Sequence, residues 1–208
     1  MQNISYKLIE FFIAFIIVPI SFVLNYPVLF KMIIGCLGFL YVLFVLLRIE
    51  KNEFKIAKGL NWKLFWKQTL LKLLAVIVLT TIYVWIFDKT NLFSVVLSKP
   101  LLWLAILFIY SVFSVYPQEL IFRTFFFQRY ETLFSSKTLL IFVNAIVFCL
   151  AHLFFRNTLV LVLTFLGGLL FGLTFYKTKS TLFVTIEHAI YGCWLFTVGM
   201  GEMLGFPN

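Results

Sequence analysis

The chain has 208 residues, of which 63% are hydrophobic and only 12% charged, with 28 phenylalanines. A water-soluble domain of this length has no interior large enough for that much apolar side chain, so composition excludes a soluble protein and predicts an all-α, polytopic transmembrane helix bundle. The net charge of +9 would suit a nucleic-acid partner. Most basic residues, however, flank apolar runs, where they set orientation and meet anionic head groups, so the lipid bilayer is the expected partner and nucleic acid is not.

About seven spans are expected, in one membrane domain covering residues 1–208. Span one runs from about Leu8 to Leu24 and contains Pro19, which breaks the helical ladder locally. No small-residue cleavage site closes this run, so it reads as a retained helix. Span two runs from about Val28 to Leu47. The segment Arg48 to Gln68 alternates Lys and Arg with Phe54, Ile56, Leu60, Trp62, Leu64, Phe65 and Trp66, the pattern of a basic amphipathic helix lying in the interface. Span three covers about Thr69 to Phe87, and a polar connector runs from Asp88 to Pro100. Span four begins near Leu101 and continues to Tyr130, with Pro117 inside it. Spans five, six and seven cover about Thr138 to Phe155, Thr158 to Tyr176 and Thr181 to Met200. Cys36, Cys149 and Cys193 all fall inside apolar runs and read as small core residues.

With the N-terminus in the cytoplasm, the inner loops would carry Lys7, Arg48, Lys51, Lys55, Lys58, Lys63, Lys67, Arg129, Lys137, Lys177 and Lys179. The outer loops would carry Lys31, Lys89, Lys99 and Arg156. That asymmetry predicts a multi-pass protein of the cell (plasma) membrane with a cytoplasmic N-terminus.

Against this apolar background the stretch Gln118 to Tyr130 stands out, because it holds Glu119 and Arg123 four residues apart, on one helix face. Ionisable groups inside a span are costly and mark functional sites or structural ion pairs; both readings stand for this pair. The only two histidines, His152 and His188, lie in spans five and seven. Counting about 1.5 Å per residue from the nearest inner-loop cation places Glu119 about 15 Å, His188 about 13–14 Å and His152 about 22 Å from the inner surface. Three helices thus offer an acid and two imidazoles at comparable depth. Asn144, Phe148 and His152 recur every four residues on one face of span five. Glu187, beside His188, points about 100° away and is expected to serve another contact. The Gly168 and Gly172 pair has the spacing of a close helix–helix approach.

The segment from about Tyr116 to Gly201 resembles the CAAX-protease and bacteriocin-processing (CPBP, ABI) family of intramembrane endopeptidases. Its first motif, EExxxR, is similar to Gln118-Glu119-Leu120-Ile121-Phe122-Arg123. Its second, FxxxH, is matched by Phe148-Cys149-Leu150-Ala151-His152. Its third, HxxxN, keeps the histidine in His188-Ala189-Ile190-Tyr191-Gly192. The resemblance implies a glutamate-type endopeptidase in which Glu119 and His152 activate a water, with His188 stabilising the oxyanion and Arg123 beside the carboxylate. The substrate it implies is a membrane-associated peptide or protein. Two positions depart from the pattern. Gln118 cannot act as a general base, which leaves that task to Glu119. Gly192 removes one oxyanion donor, a loss that elsewhere costs about 10²–10³ in rate; Tyr191, one position earlier, offers an O–H instead.

No cofactor is expected. The alternative is a zinc set of Glu119, His152 and His188, two imidazoles and a carboxylate. A non-catalytic alternative also stands: a membrane protein of the same fold with an immunity, chaperone or peptide-binding role.

Overall fold

The computed structural model describes residues 3–53, 56–57 and 59–205. Phe54, Lys55 and Lys58 of the basic segment, and residues 206–208, lie outside the described residues. Among the described residues seven helices are long and apolar enough to cross a membrane: α1 (Ile4–Ser21), α2 (Val28–Ile49), α3 (Trp62–Phe87), α4 (Pro100–Leu133), α5 (Lys137–Phe155), α6 (Thr158–Thr178) and α7 (Thr181–Val198). No strand occurs among the described residues. The chain is an integral, multi-pass helical membrane protein.

Polar side chains set where several helices start. Asn3, Asn61, Ser136 and Asn157 each accept a hydrogen bond from a backbone N–H of the first turn, satisfying donors that have no partner inside the helix. The Asn61 cap, with Oδ1 2.9 Å from Leu64 N, corrects the sequence reading of the basic segment. Residues 62–68 are the first two turns of α3, continuous with the span, and do not form a separate helix in the interface plane. At 26 residues α3 is about 39 Å long, so it overruns a hydrocarbon slab of about 30 Å.

Pro19 in α1 and Pro117 in α4 are accommodated by the same device. Each lies just beyond a π-helical stretch, Ile13–Ile17 before Pro19 and Tyr110–Val115 before Pro117. Val18 N reaches back five residues to Ile13 O, and Tyr116 N to Ser111 O. Proline supplies no N–H and crowds the preceding turn, and widening the ladder by one residue accommodates it.

Polarity is inverted relative to a soluble protein. Leu101 is 81% exposed and Phe87 71%, whereas Arg123 and Arg129 head the largest fully buried side chains, at 0% each. Outward apolar faces suit lipid, and inward ions demand partners.

The helices fall into two compact units. The first, residues 1–56 and 118–181, contains α1, α2, the second half of α4, α5 and α6. Phe15 of α1 packs edge-on against Phe122, Phe126 and Tyr130 of α4, with ring centroids 5.6, 5.4 and 5.9 Å away. Arg129 does not sit in an inner loop, where the charge count placed it. It forks onto Glu10 through Nε (3.0 Å) and Nη2 (2.9 Å) and donates to Glu50 through Nη1 (2.6 Å). Tyr130 and Tyr41 also donate to the Glu10 carboxylate, at 2.7 and 2.9 Å. A guanidinium and a carboxylate matched in this way satisfy each other's fixed geometry, and here they tie α1, α2 and α4 together. In the same unit α5 and α6 approach closely. A β-carbon at Gly168 would fall 2.8 Å from the Ala145 Cα, so only glycine permits this separation.

The second unit, residues 57–117 and 182–208, contains α3, the first half of α4 and α7. Phe65 stacks on Phe183 at 4.1 Å. Trp194 donates to Thr80 Oγ1 at 2.9 Å and Trp103 to Thr197 Oγ1 at 3.0 Å. Both indole N–H groups thereby find acceptors inside the unit.

Candidate active site

In the first unit the motif-bearing part of α4, Gln118 to Arg123, runs into the second of its two π-helical stretches. Between Leu120 and Phe125 the ladder is again widened, and Phe126 N reaches back to Ile121 O. The shifted register leaves the Phe122 carbonyl to side chains: Asn144 Nδ2 donates to it at 2.6 Å and Arg123 Nη1 at 3.3 Å. Asn144, singled out as a polar position on span five, thus ties α5 to the backbone between Glu119 and Arg123. π turns of this kind recur where a helix must present side chains off the regular register.

Glu119 and Arg123 are both fully buried, with Arg123 Nε 3.4 Å from Glu119 Oε2. The pairing read from the i,i+4 spacing is therefore formed. The Arg123 guanidinium also lies over the Phe148 ring, 4.6 Å from its centroid, and faces Phe171 of α6 at 5.8 Å. Aromatic faces are among the few apolar surfaces that attract a desolvated cation. Phe148, the aromatic position of the second motif, therefore has a physical role, supporting the arginine that holds the acid.

His152 is not in the middle of a helix. The α-helical part of α5 ends at Leu150, and His152 occupies the turn that follows, half-buried, at φ −102° and ψ 3°. Its Nδ1 lies 2.8 Å from the Phe148 carbonyl oxygen and its ring 4.8 Å from the Phe148 ring. A carbonyl only accepts, so Nδ1 carries the proton in this contact. The neutral imidazole then keeps its lone pair on Nε2, as a base or a water ligand needs.

His188 belongs to the second unit, buried on α7 with its ring 6.1 Å from that of Tyr110. Tyr110 is packed edge-on against Phe196 at 4.8 Å. It was not singled out from the sequence. Glu187 turns away from His188, as its helical angle requires, and pairs with Lys72 of α3. Glu187 also accepts from the Tyr191 hydroxyl at 2.9 Å. That hydroxyl, expected as a substitute oxyanion donor, has its single proton within reach of Glu187 and of the Thr69 carbonyl at 3.1 Å. The Glu187 Oε2 atom is buried without a hydrogen-bond partner among the described residues.

The alternative zinc set draws Glu119 and His152 from the first unit and His188 from the second. Neither unit by itself gathers three His, Cys, Asp or Glu side chains around a point among the described residues.

Residues 100–194 match the family model described as type II CAAX prenyl endopeptidase Rce1-like. The match takes in Glu119, Arg123, Asn144, Phe148, His152 and His188. No curated protein and no solved structure matches the chain.

Proposed function

Because residues 100–194 belong to the Rce1-like family of CAAX endopeptidases, we propose that this protein is an intramembrane endopeptidase that hydrolyses a peptide bond of a membrane-associated protein or peptide. The observation that carries the reading is the span of the family match, which includes every residue assigned a part in the chemistry. Basic residues flanking the spans favour the plasma membrane with the N-terminus in the cytoplasm.

In this reading Glu119 takes a proton from a water molecule, and the hydroxide adds to the scissile carbonyl carbon. The C–N bond then breaks, and the proton passes to the leaving amine. Arg123, held against Phe148 and Phe171, fixes the orientation of the carboxylate. His152 accepts from the water through Nε2, its tautomer set by the Phe148 carbonyl. His188 donates to the carbonyl oxygen as negative charge develops there. Gln118 has no basic form and contributes position only. No metal takes part.

The test compares membranes from cells producing the wild-type chain with membranes holding Glu119→Gln, His152→Ala or His188→Ala, followed by mass spectrometry of protein termini. New termini are expected with the wild type and not with the variants, each of which still folds. A wild type that produces no more new termini than Glu119→Gln refutes the reading. Gln118 and Gly192 favour a second reading, a peptide-binding protein that kept the fold without the chemistry. Binding or protection that survives Glu119→Gln supports it.

A further inference from the structure

An asparagine inside a membrane helix has no water for its amide, so a fully buried one needs a protein partner. Asn144 of α5 is 0% exposed, and its Nδ2 donates to the Phe122 carbonyl oxygen of α4 at 2.6 Å. Only the nitrogen end of an amide can serve a carbonyl, so this contact sets which way the amide lies. The oxygen end lies against α6, where a β-carbon at Gly172 would come within 3.3 Å of Oδ1. Glycine at that position leaves the amide its room.

The Phe122 carbonyl is passed over by the helical ladder. The N–H four residues on, that of Phe126, bonds to Ile121 and Arg123 instead. A five-residue step in place of four is equivalent to one extra residue in the turn. An unbroken α-helix through the same sequence would return Phe126 N to the Phe122 carbonyl and rotate Glu119 by about 100° relative to the residues after the turn. Those later residues are fixed independently, Arg129 and Tyr130 by Glu10 and Phe126 by Phe15. The register of this one turn therefore decides which face of α4 carries the carboxylate. Asn144 bonds to the carbonyl that only the widened register exposes. Arg123 Nη1 reaches the same oxygen at 3.3 Å, a longer bond from within the turn itself. All of these residues belong to the first unit.

We propose that Asn144 is a positioning residue for the hydrolysis. By binding the Phe122 carbonyl it holds α4 in the widened register, and so keeps the Glu119 carboxylate on the face where it meets the water. It acts through the backbone of α4 rather than on the substrate. The proposal rests on the endopeptidase reading and extends it to a residue outside the three motifs.

The experiment uses the full chain in membranes of producing cells, with new protein termini counted per amount of folded protein. Asn144→Leu keeps the size of the side chain and removes the donor. It is expected to slow cleavage by about a hundredfold, the scale on which a displacement of about 1 Å acts. Deleting Ile121 takes the extra residue out of the turn and leaves the acid and the arginine three apart, still on one helix face. With that deletion no carbonyl is passed over, so Asn144→Leu combined with it should cleave at least about tenfold faster than Asn144→Leu alone, recovering part of the loss.

Melting of the purified protein gives a readout that needs no activity. Asn144→Leu should lower the melting temperature by about 2–12 °C, because the Phe122 carbonyl loses its shorter bond. Once Ile121 is deleted, the same substitution should lower it by about half as much or less. An equal loss with and without the deletion rejects the role. Asn144→Leu cleaving at the wild-type rate while the wild type exceeds Glu119→Gln overturns this proposal alone. A wild type no faster than Glu119→Gln overturns both readings. Should Asn144→Leu fail to fold, it is made together with the deletion; recovery of folded protein supports the role, and failure there too rejects it.

Discussion

Replacing Glu10 by leucine should uncouple α1 from α4. Glu10 is 7% exposed, and it accepts two bonds from Arg129 and one each from Tyr130 and Tyr41. Removing one member of a buried ion pair costs about 3–5 kcal/mol. Arg129 keeps Glu50 at 2.6 Å, so its charge is still partly compensated, which sets the expectation near the lower end, about 3 kcal/mol. For a chain of this size that corresponds to a melting temperature lower by about 6–12 °C. The assay is thermal unfolding of detergent-purified Glu10→Leu, Arg129→Met and the double variant. The double variant should lose less than the sum of the singles by about 2 kcal/mol or more, because it leaves no stranded charge between these two positions. Glu10→Leu melting with the wild type, or a double variant equal to the sum, would refute the argument that this pair joins the two helices.

Lys72→Met leaves the buried Glu187 carboxylate with Tyr191 as its remaining donor among the described residues; it should cost about 3–5 kcal/mol in the same unfolding assay, most of it recovered by adding Glu187→Leu. Gly168→Val pushes a side chain onto the Ala145 backbone and should destabilise by about 1–3 kcal/mol. Gly35→Ala and Gly38→Ala, where nothing lies within 4 Å of the new carbon, should be neutral or slightly stabilising. Equal effects at positions 168 and 35 would contradict the close approach of α5 and α6. Cleavage in membranes should survive treatment with a zinc chelator. Activity lost on chelation and restored by zinc would replace the water-activating carboxylate with a metal site.

The seven spans were legible because length and apolarity alone decide what can cross a bilayer, and their limits came within a few residues for most. The exception, the start of α3, turned on Asn61. A cap overrode an interfacial-looking composition and carried the helix back through Trp62 and Trp66. The contact of Glu119 with Arg123 was also legible, because partners four apart on a helix need no tertiary information. Arg129 was misread because its partner Glu10 lies 119 residues away; a cation at the end of an apolar run looks the same whether it meets lipid head groups or a distant acid. Lys72 was missed for the same reason, its carboxylate being 115 residues further on. The π turns escaped notice because nothing in apolar composition marks a widened ladder, and Pro19 and Pro117 were its only visible signs.

The bond between Glu10 and Arg129 has a consequence for biogenesis. The ribosome delivers the acid first and its cation 119 residues later, an interval of about 6–24 s at ordinary elongation rates. For that time α1 is a newly made apolar helix whose carboxylate lacks its Arg129 partner. It has to wait at the membrane surface or be sheltered by the insertion machinery, so its lateral docking is set by the arrival of the fourth span. An early stop codon anywhere before position 129 would leave a hydrophobic segment whose buried acid lacks this cation.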